Sequence, residues 1–144
     1  MNMKEIQIRK AERGDAELIA DVVGMALDYE PKQHPLHPVF LELAGREVAQ
    51  YSYRNALVAE VNGVAVGAIV GYDGARLHEL RQPIYPLIRQ HLGKEIEIEE
   101  ETSAEEFYID SVAVLPGYRS LGIGRQLLEK MRDKAFGEGH SRVG

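Results

Sequence analysis

The sequence predicts a single α/β domain on the basis of three observations. A strand and a helix open the chain, a tight β-hairpin occupies its middle, and a strand, a glycine-containing loop and a helix follow near its end. A chain of 144 residues usually buries one hydrophobic core. We therefore expect residues 1–144 to form one domain.

Composition narrows the possible functions. Hydrophobic residues make up 44% of the chain, which argues against disorder. The 17 basic and 23 acidic side chains give a net charge of −6, which argues against nucleic-acid or anionic-membrane partners. The chain has no cysteine, so disulfides, thiolate metal sites and a cysteine nucleophile are excluded. With no apolar run long enough to span a bilayer and no signal peptide, we expect a cytoplasmic protein.

Hydrophobic periodicity assigns the elements of the first third. Residues 5–9 alternate polar and apolar side chains, as a half-buried strand does. Asp15 is a candidate N-cap for a first helix that ends before Pro31. A second helix is predicted from the spacing of four apolar residues, namely Phe40, Leu43, Val48 and Tyr51. Between the two helices, His34 and His37 lie in a proline-flanked turn, where a structural role is favoured over metal binding.

A hairpin and an interrupted helix follow. The dipeptide Asn62-Gly63 separates two runs rich in valine and alanine and suits a type I′ turn. A helical pattern then breaks near Gln82, and Pro83 begins its second part. Residues 95–110 carry eight acidic side chains and no basic one. This run either faces solvent or attracts a cationic substrate.

The last predicted strand, residues 107–114, leads through a glycine-containing loop into a helix that Gly137 is expected to close. Such a loop gathers the free amides of a helix N-terminus and suits an anion such as phosphate. Residues 113–134 add a local charge of +3. A Walker A loop is excluded because Ile123 and Gly124 stand where lysine and serine or threonine are required, and the third glycine of a dinucleotide fingerprint is missing.

The remaining pattern is R-x-x-G-x-G, here Arg119 to Gly124, with Pro116 and Tyr118 before it. The run from Val112 to Leu128 resembles the acetyl-coenzyme A signature of the GCN5-related N-acetyltransferase (GNAT) family, and the order of elements from Ile8 to Tyr72 is similar to that family too. The resemblance implies a mixed, mostly antiparallel twisted sheet with helices on both faces. It also implies an N-acetyltransferase that uses acetyl-coenzyme A, without a metal, and acetylates a small-molecule or peptide amine by direct attack.

The resemblance further implies individual site residues. Loop residues would hold the pyrophosphate of the coenzyme, and the main chain of the preceding strand would pair with its pantetheine arm. The cofactor-binding candidates are Val112, Val114, Arg119, Ser120, Leu121, Gly122, Ile123, Gly124 and Arg125. Asp110 occupies the position where many family members place a catalytic carboxylate. A polar residue on a solvated strand face is an equally good interpretation of Asp110, in which case Glu106, Glu99 or Glu101 would be the base.

The family pattern continues with a strand, a helix and further strands beyond the signature helix, whereas only residues 140–143 are present here to begin that strand. No tyrosine follows Tyr118 to serve as the usual acid. Three explanations would account for this. The sequence is shortened, another chain supplies the missing strand on the far side of the pantetheine arm, or the chain is a naturally short variant of weak activity. An unpaired strand edge favours a homodimer. The alternative to an enzyme is a non-catalytic module that binds coenzyme A or serves a structural role.

Overall fold

A computed structural model describes residues 5–98 and 105–144. Its described strands form one four-stranded antiparallel sheet in the order β1-β2-β3-β4. The strands are β1 (Ile6–Lys10), β2 (Ala56–Val61), β3 (Val64–Asp73) and β4 (Phe107–Val114). The turn between β2 and β3 has positive φ at both Asn62 and Gly63, as the type I′ prediction requires.

Helices pack on both faces of this sheet. They are α1 (Ala16–Ala26), α2 (His37–Ala44), α3 (Leu77–Arg81), α4 (Ile84–Leu92) and α5 (Ile123–Gly137). On one face, Leu127 and Met131 of α5 bury their side chains against Leu57 and Ile69 of the sheet. On the other face α1, α2 and α3 form a second core around Val70. The prediction of an α/β fold with helices on both faces is confirmed.

Three expectations about helix ends are corrected. The second helix ends at Ala44 and does not reach Val48, which is exposed. Gly45 follows the last helical residue. Beyond it, the side chains of Ser52 and Asn55 donate hydrogen bonds to backbone carbonyls, and these bonds compete with helical ones. These bonds stabilise a series of turns over residues 45–52.

The first and last helices differ from expectation in their caps. Asp15 makes no capping bond to α1; its carboxylate accepts hydrogen bonds from Arg9 and from the Glu12 amide instead. Gly137 remains helical, and Gly139, with φ of 94°, closes α5 by a Schellman motif in which its N–H donates to Phe136. Residues 95–98, which alternate acidic and apolar side chains, lie in no strand or helix.

The pairing of β3 with β4 contains an irregularity. Gly71 lies opposite Ile109 and Val70 opposite Ser111, so Asp110 has no partner on β3. Such a β-bulge changes which side chains and backbone groups of the strand point to each side. Within the described ranges, no helix has the length and apolar character needed to cross a membrane.

The ring of Phe107 packs directly on Gly71 and leads to a prediction about stability. A Cβ atom at Gly71 would lie 2.7 Å from Cε1 of Phe107 and 3.2 Å from the backbone oxygen of Tyr108. Phe107 is 1% exposed and cannot move away. Gly71→Ala is therefore expected to lower the free energy of unfolding by about 1–3 kcal/mol, measured by chemical denaturation.

Gly14→Ala is the matched control, because a Cβ atom there meets nothing within 4 Å. It is expected to change the unfolding free energy by less than about 0.5 kcal/mol. Equal stability of the two variants would contradict the packing described for Gly71.

Candidate active site

Asp110 lies in the β-bulge of β4, and its carboxylate is held by neighbouring side chains. Oδ2 accepts a hydrogen bond of 2.6 Å from the Tyr72 hydroxyl and one of 2.7 Å from Nε2 of Gln50. Oδ1 accepts one of 3.1 Å from the Ser111 hydroxyl. Asp110 itself is half-buried, so the interpretation of a residue on a fully solvated strand face does not describe it.

The partners of Asp110 form a buried polar network. Tyr72 and Gln50 are 3% and 4% exposed, and Gln50 also donates to the Tyr72 oxygen at 3.1 Å. Arg81 of α3 is 3% exposed and donates from Nε to Oε1 of Gln50 at 3.1 Å. Side chains from β3, β4, α3 and the turns after α2 thus meet at one point.

Burial raises the pKa of the Tyr72 phenol well above its ordinary value, and the adjacent negative charge of Asp110 adds to the effect. The phenol therefore stays protonated and acts as a hydrogen-bond donor to the carboxylate. In the described structure Tyr72 supports Asp110 and is not poised to become a phenolate.

The outer edge of β4, on the side away from β3, is covered only at its start by described residues. Phe107 and Ile109 exchange backbone hydrogen bonds with residues 142–144, which run parallel to them. After the bulge, the Leu115 amide donates to Val66 of β3, which places the backbone groups of Val112 and Val114 on the outer side, because successive residues of a strand alternate. Among the described residues, Val112 has no backbone partner there.

The loop after β4 places the N-terminus of α5 beyond Val114, the last residue of the strand. The first helical bond of α5 runs from Gln126 to the Gly122 carbonyl, so the amides of Ile123, Gly124 and Arg125 have no acceptor within the helix. Gly122 adopts φ of 76°, and a Cβ atom at Gly122 or Gly124 would meet nothing within 4 Å. Open space therefore adjoins these free donors, as an approaching phosphate requires.

The side chains of the loop differ in burial and in the contacts that they make. Ile123 is fully buried and Leu121 partly buried in the core under α5, so their side chains anchor the loop. Ser120 and Arg125 are exposed. Arg119 turns back, donating from Nε to the Val114 carbonyl at 2.9 Å and contacting the Met25 sulfur at 3.5 Å. Its side chain joins the loop to β4 and α1.

The alternative carboxylates are less well placed. Glu106 precedes β4 and lies against Gly144, about 13 Å along the strand from Asp110 at the usual rise per residue. Glu99 and Glu101 fall outside the described residues. A cleft of about 900 Å³ between α3, α4 and residues 95–98 includes Glu95 and Glu97 in its lining. Because the Glu95 side chain is 80% exposed and pairs with Arg89, this part of the acidic run faces solvent.

Sequence reasoning missed Gln50 and Arg81 as members of the site. Gln50 carried no signal, since its segment was expected to be helical. Arg81 did carry one, because it falls on the apolar face of α3 and α4 formed by Leu77, Leu80, Ile84 and Ile88. A charged residue on such a face implies a buried polar partner. In residues 5–98 and 105–144, no group of three or more acidic or histidine side chains could hold a metal ion.

A family model described as the acetyltransferase (GNAT) family matches residues 19–144. No curated protein matches the chain at a significant level. A crystal structure described as an acetyltransferase is similar at 26% identity, with a TM-score of 0.73 and coverage of 93% of this chain and 76% of that one.

Two further solved structures share the fold. An N-acetyltransferase from Staphylococcus aureus Mu50 has 24% identity and a TM-score of 0.74, over 89% of this chain and 75% of that one. An aminoglycoside N-acetyltransferase, AAC(6')-Iy, in complex with CoA has 14% identity and a TM-score of 0.59, over 99% of this chain and 77% of that one. The sheet and helices described above are thus those of known acetyltransferases.

The raised pKa of Tyr72 can be tested by alkaline titration of the seven tyrosines. Because Tyr72 is expected to stay protonated in the folded protein, the wild type and Tyr72→Phe should show the same absorbance change until unfolding. In denaturant, the wild type should ionise one phenol more. The stability that this phenol contributes is present below pH 10.0, its unfolded pKa, and is lost above it. One phenol fewer in folded Tyr72→Phe would contradict the expectation.

Proposed function

Because the chain belongs to the acetyltransferase (GNAT) family, we propose that it moves the acetyl group of acetyl-coenzyme A onto the nitrogen of a primary amine. Family membership makes the protein an acyltransferase. The observation that carries the finer proposal is the placement of Asp110 and the loop at α5 along one strand. The Asp110 carboxylate lies at one end of the open outer edge of β4. The free amides at the N-terminus of α5 lie beyond the other end of that edge.

The residues of the loop fit the phosphates of the coenzyme. The amides of Ile123, Gly124 and Arg125 would donate to the pyrophosphate, with the partial positive charge of the helix N-terminus behind them. Gly122 leaves room for the approach, and the Arg125 side chain adds positive charge. Arg119 contributes by holding the loop against β4, since its guanidinium already donates to the strand. Ser120 and Leu121 complete the loop.

The pantetheine arm is proposed to lie along the outer edge of β4. Val112 offers an N–H and a C=O that no described backbone group uses, and the backbone of Val114 faces the same side. An extended arm with amide groups can pair with such an edge as an additional strand would. Its thiol end would then point toward Asp110.

Asp110 is proposed as the general base. The acceptor arrives as an ammonium ion, and the carboxylate takes one proton from it, directly or through a water molecule. The freed lone pair attacks the thioester carbonyl carbon, a C–N bond forms and the C–S bond breaks. The sulfur leaves as a thiolate and takes up the second proton, which the nitrogen loses as it becomes an amide. Direct attack needs no enzyme nucleophile, which agrees with the absence of cysteine.

The loop assignment predicts that Gly124→Glu abolishes coenzyme binding. The substitution places a side chain and a negative charge in the open space where the pyrophosphate would lie. We expect affinity for coenzyme A to fall on the order of 100-fold or more in calorimetry, since like charges in contact cost several kcal/mol. Gly137→Glu, the same change at the other end of α5, should leave affinity unchanged. Retained affinity in Gly124→Glu would refute the loop assignment.

The role of Asp110 predicts a different result for Asp110→Asn. Turnover should fall about 100-fold or more while the dissociation constant for coenzyme A stays the same, because the amide cannot accept the proton. Thiol release from acetyl-coenzyme A measures turnover across a panel of spermine, an aminoglycoside and a lysine peptide. Asp133→Asn on the exposed side of α5 is the control. An unchanged rate in Asp110→Asn removes it as base, and coenzyme binding without turnover by the wild type favours a non-catalytic module.

A homodimer is a further proposal, supported by the open outer edge of β4 beyond Ile109. Exposed strand edges pair readily with other chains, and a second protomer would supply a strand on the far side of the pantetheine arm, which leaves the backbone groups of Val112 and Val114 to the coenzyme. Light scattering at micromolar concentration is expected to give twice the chain mass of 16.1 kDa. A monomeric mass would contradict it.

A further inference from the structure

The buried network beside Asp110 contains two side chains that a hydrophobic core does not need. Arg81 and Gln50 are 3% and 4% exposed, and a buried guanidinium is costly unless its hydrogen bonds are satisfied. Arg81 belongs to α3, whose other buried residues, Leu77 and Leu80, are apolar. The position of this charge therefore calls for an explanation beyond packing.

The bond from Arg81 fixes which way the Gln50 amide points. A guanidinium can only donate hydrogen bonds, so the Gln50 atom 3.1 Å from its Nε must be the carbonyl oxygen. The amide nitrogen then faces the opposite way, toward Oδ2 of Asp110 at 2.7 Å and the Tyr72 hydroxyl at 3.1 Å. Without Arg81, the amide could turn its oxygen toward the carboxylate, and two acceptors would repel each other.

The same bonds distinguish the two oxygens of Asp110. Oδ2 accepts from both Gln50 and Tyr72, which fills its two lone pairs. Oδ1 accepts a single bond, from Ser111. Among the contacts of the described residues, one acceptor position on Oδ1 remains for an incoming proton donor.

We propose that Arg81 and Gln50 are positioning residues for Asp110, and that the proton of the acceptor amine goes to Oδ1. Arg81 acts through Gln50: it sets the amide so that the NH2 group, together with the Tyr72 hydroxyl, clamps Oδ2. The carboxylate is thereby held in one rotamer with Oδ1 presented to the amine. This inference rests on the proposed function, in which Asp110 is the base.

A double-mutant cycle tests whether Arg81 acts through Gln50. Arg81→Lys keeps the charge but loses the planar Nε donor, and Gln50→Ala removes the amide. Each single variant is expected to lower kcat about 10-fold with the KM for acetyl-coenzyme A unchanged, the effect of losing one hydrogen bond to a charged group. The double variant should also lose about 10-fold, because the second change removes nothing further. A loss near 100-fold in the double variant would overturn the coupling.

Side-chain NMR gives a readout that needs no acceptor amine. The NH2 signals of Gln50 should be protected from solvent exchange in the wild type and lose protection in Arg81→Lys and in Asp110→Asn, while both variants keep the wild-type fold. Arg132→Lys, at an exposed position of α5, is the matched control and should change neither signal nor rate. Unchanged Gln50 signals in Arg81→Lys would overturn the proposal.

The outcomes separate this inference from the proposed function. If Asp110→Asn slows turnover but Arg81→Lys and Gln50→Ala do not, Asp110 remains the base and the positioning role is wrong. If the Gln50 signals respond while no variant alters turnover, Asp110 is not the base, and the network serves the fold alone. Both roles stand only if the rates and the signals change together.

Discussion

The β-bulge at Asp110 is the constraint on which the site depends. One extra residue in β4 shifts the alternation of the strand, so that the backbone groups facing outward belong to Phe107 and Ile109 before the bulge and to Val112 and Val114 after it. A regular strand would turn Val112 and Val114 toward β3. The bulge thus turns the backbone groups of Val112 and Val114 to the outer edge of β4, and it places the Asp110 carboxylate at one end of that edge.

The neighbouring structure is arranged to keep that bulge in place. Gly71 opposite it has no side chain, which lets the Phe107 ring pack against the strand. On the other face, Gln50 and Tyr72 satisfy one oxygen of Asp110 with hydrogen bonds, and burial keeps the Tyr72 phenol protonated. A carboxylate this close to a core needs such donors, because a charge buried without them is costly. Stability and the orientation of the Asp110 carboxylate therefore rest on the same contacts.

Much of this arrangement could be predicted from local sequence patterns. The hairpin at Asn62-Gly63, the helix break before Pro83 and the glycine loop are set by backbone preferences of single residues, and they are found where expected. Gly45 marks the end of α2, but the turns that follow it could not be predicted, because they depend on side-chain bonds from Ser52 and Asn55. Such bonds leave no periodic signal.

The bulge did leave a signal in the sequence. Phe107 and Ile109 place apolar side chains at odd positions of β4, whereas Val112 and Val114 place them at even positions, and all four contact the core under α5. The alternation therefore shifts by one residue within the strand. The contact of Gln50 with Asp110 was beyond prediction, since the two residues meet only through the tertiary fold. Arg81, on an apolar helix face, indicated a buried polar partner but not which one.

A crystal structure of the protein with coenzyme A bound tests the central claim most directly, namely that the open edge of β4 connects a phosphate site to the carboxylate of Asp110. The account predicts the pyrophosphate at the amides of Ile123, Gly124 and Arg125, with the sulfur at the Asp110 end of the strand. Coenzyme bound instead in the cleft beside α4 and residues 95–98, with the loop amides empty, would contradict it.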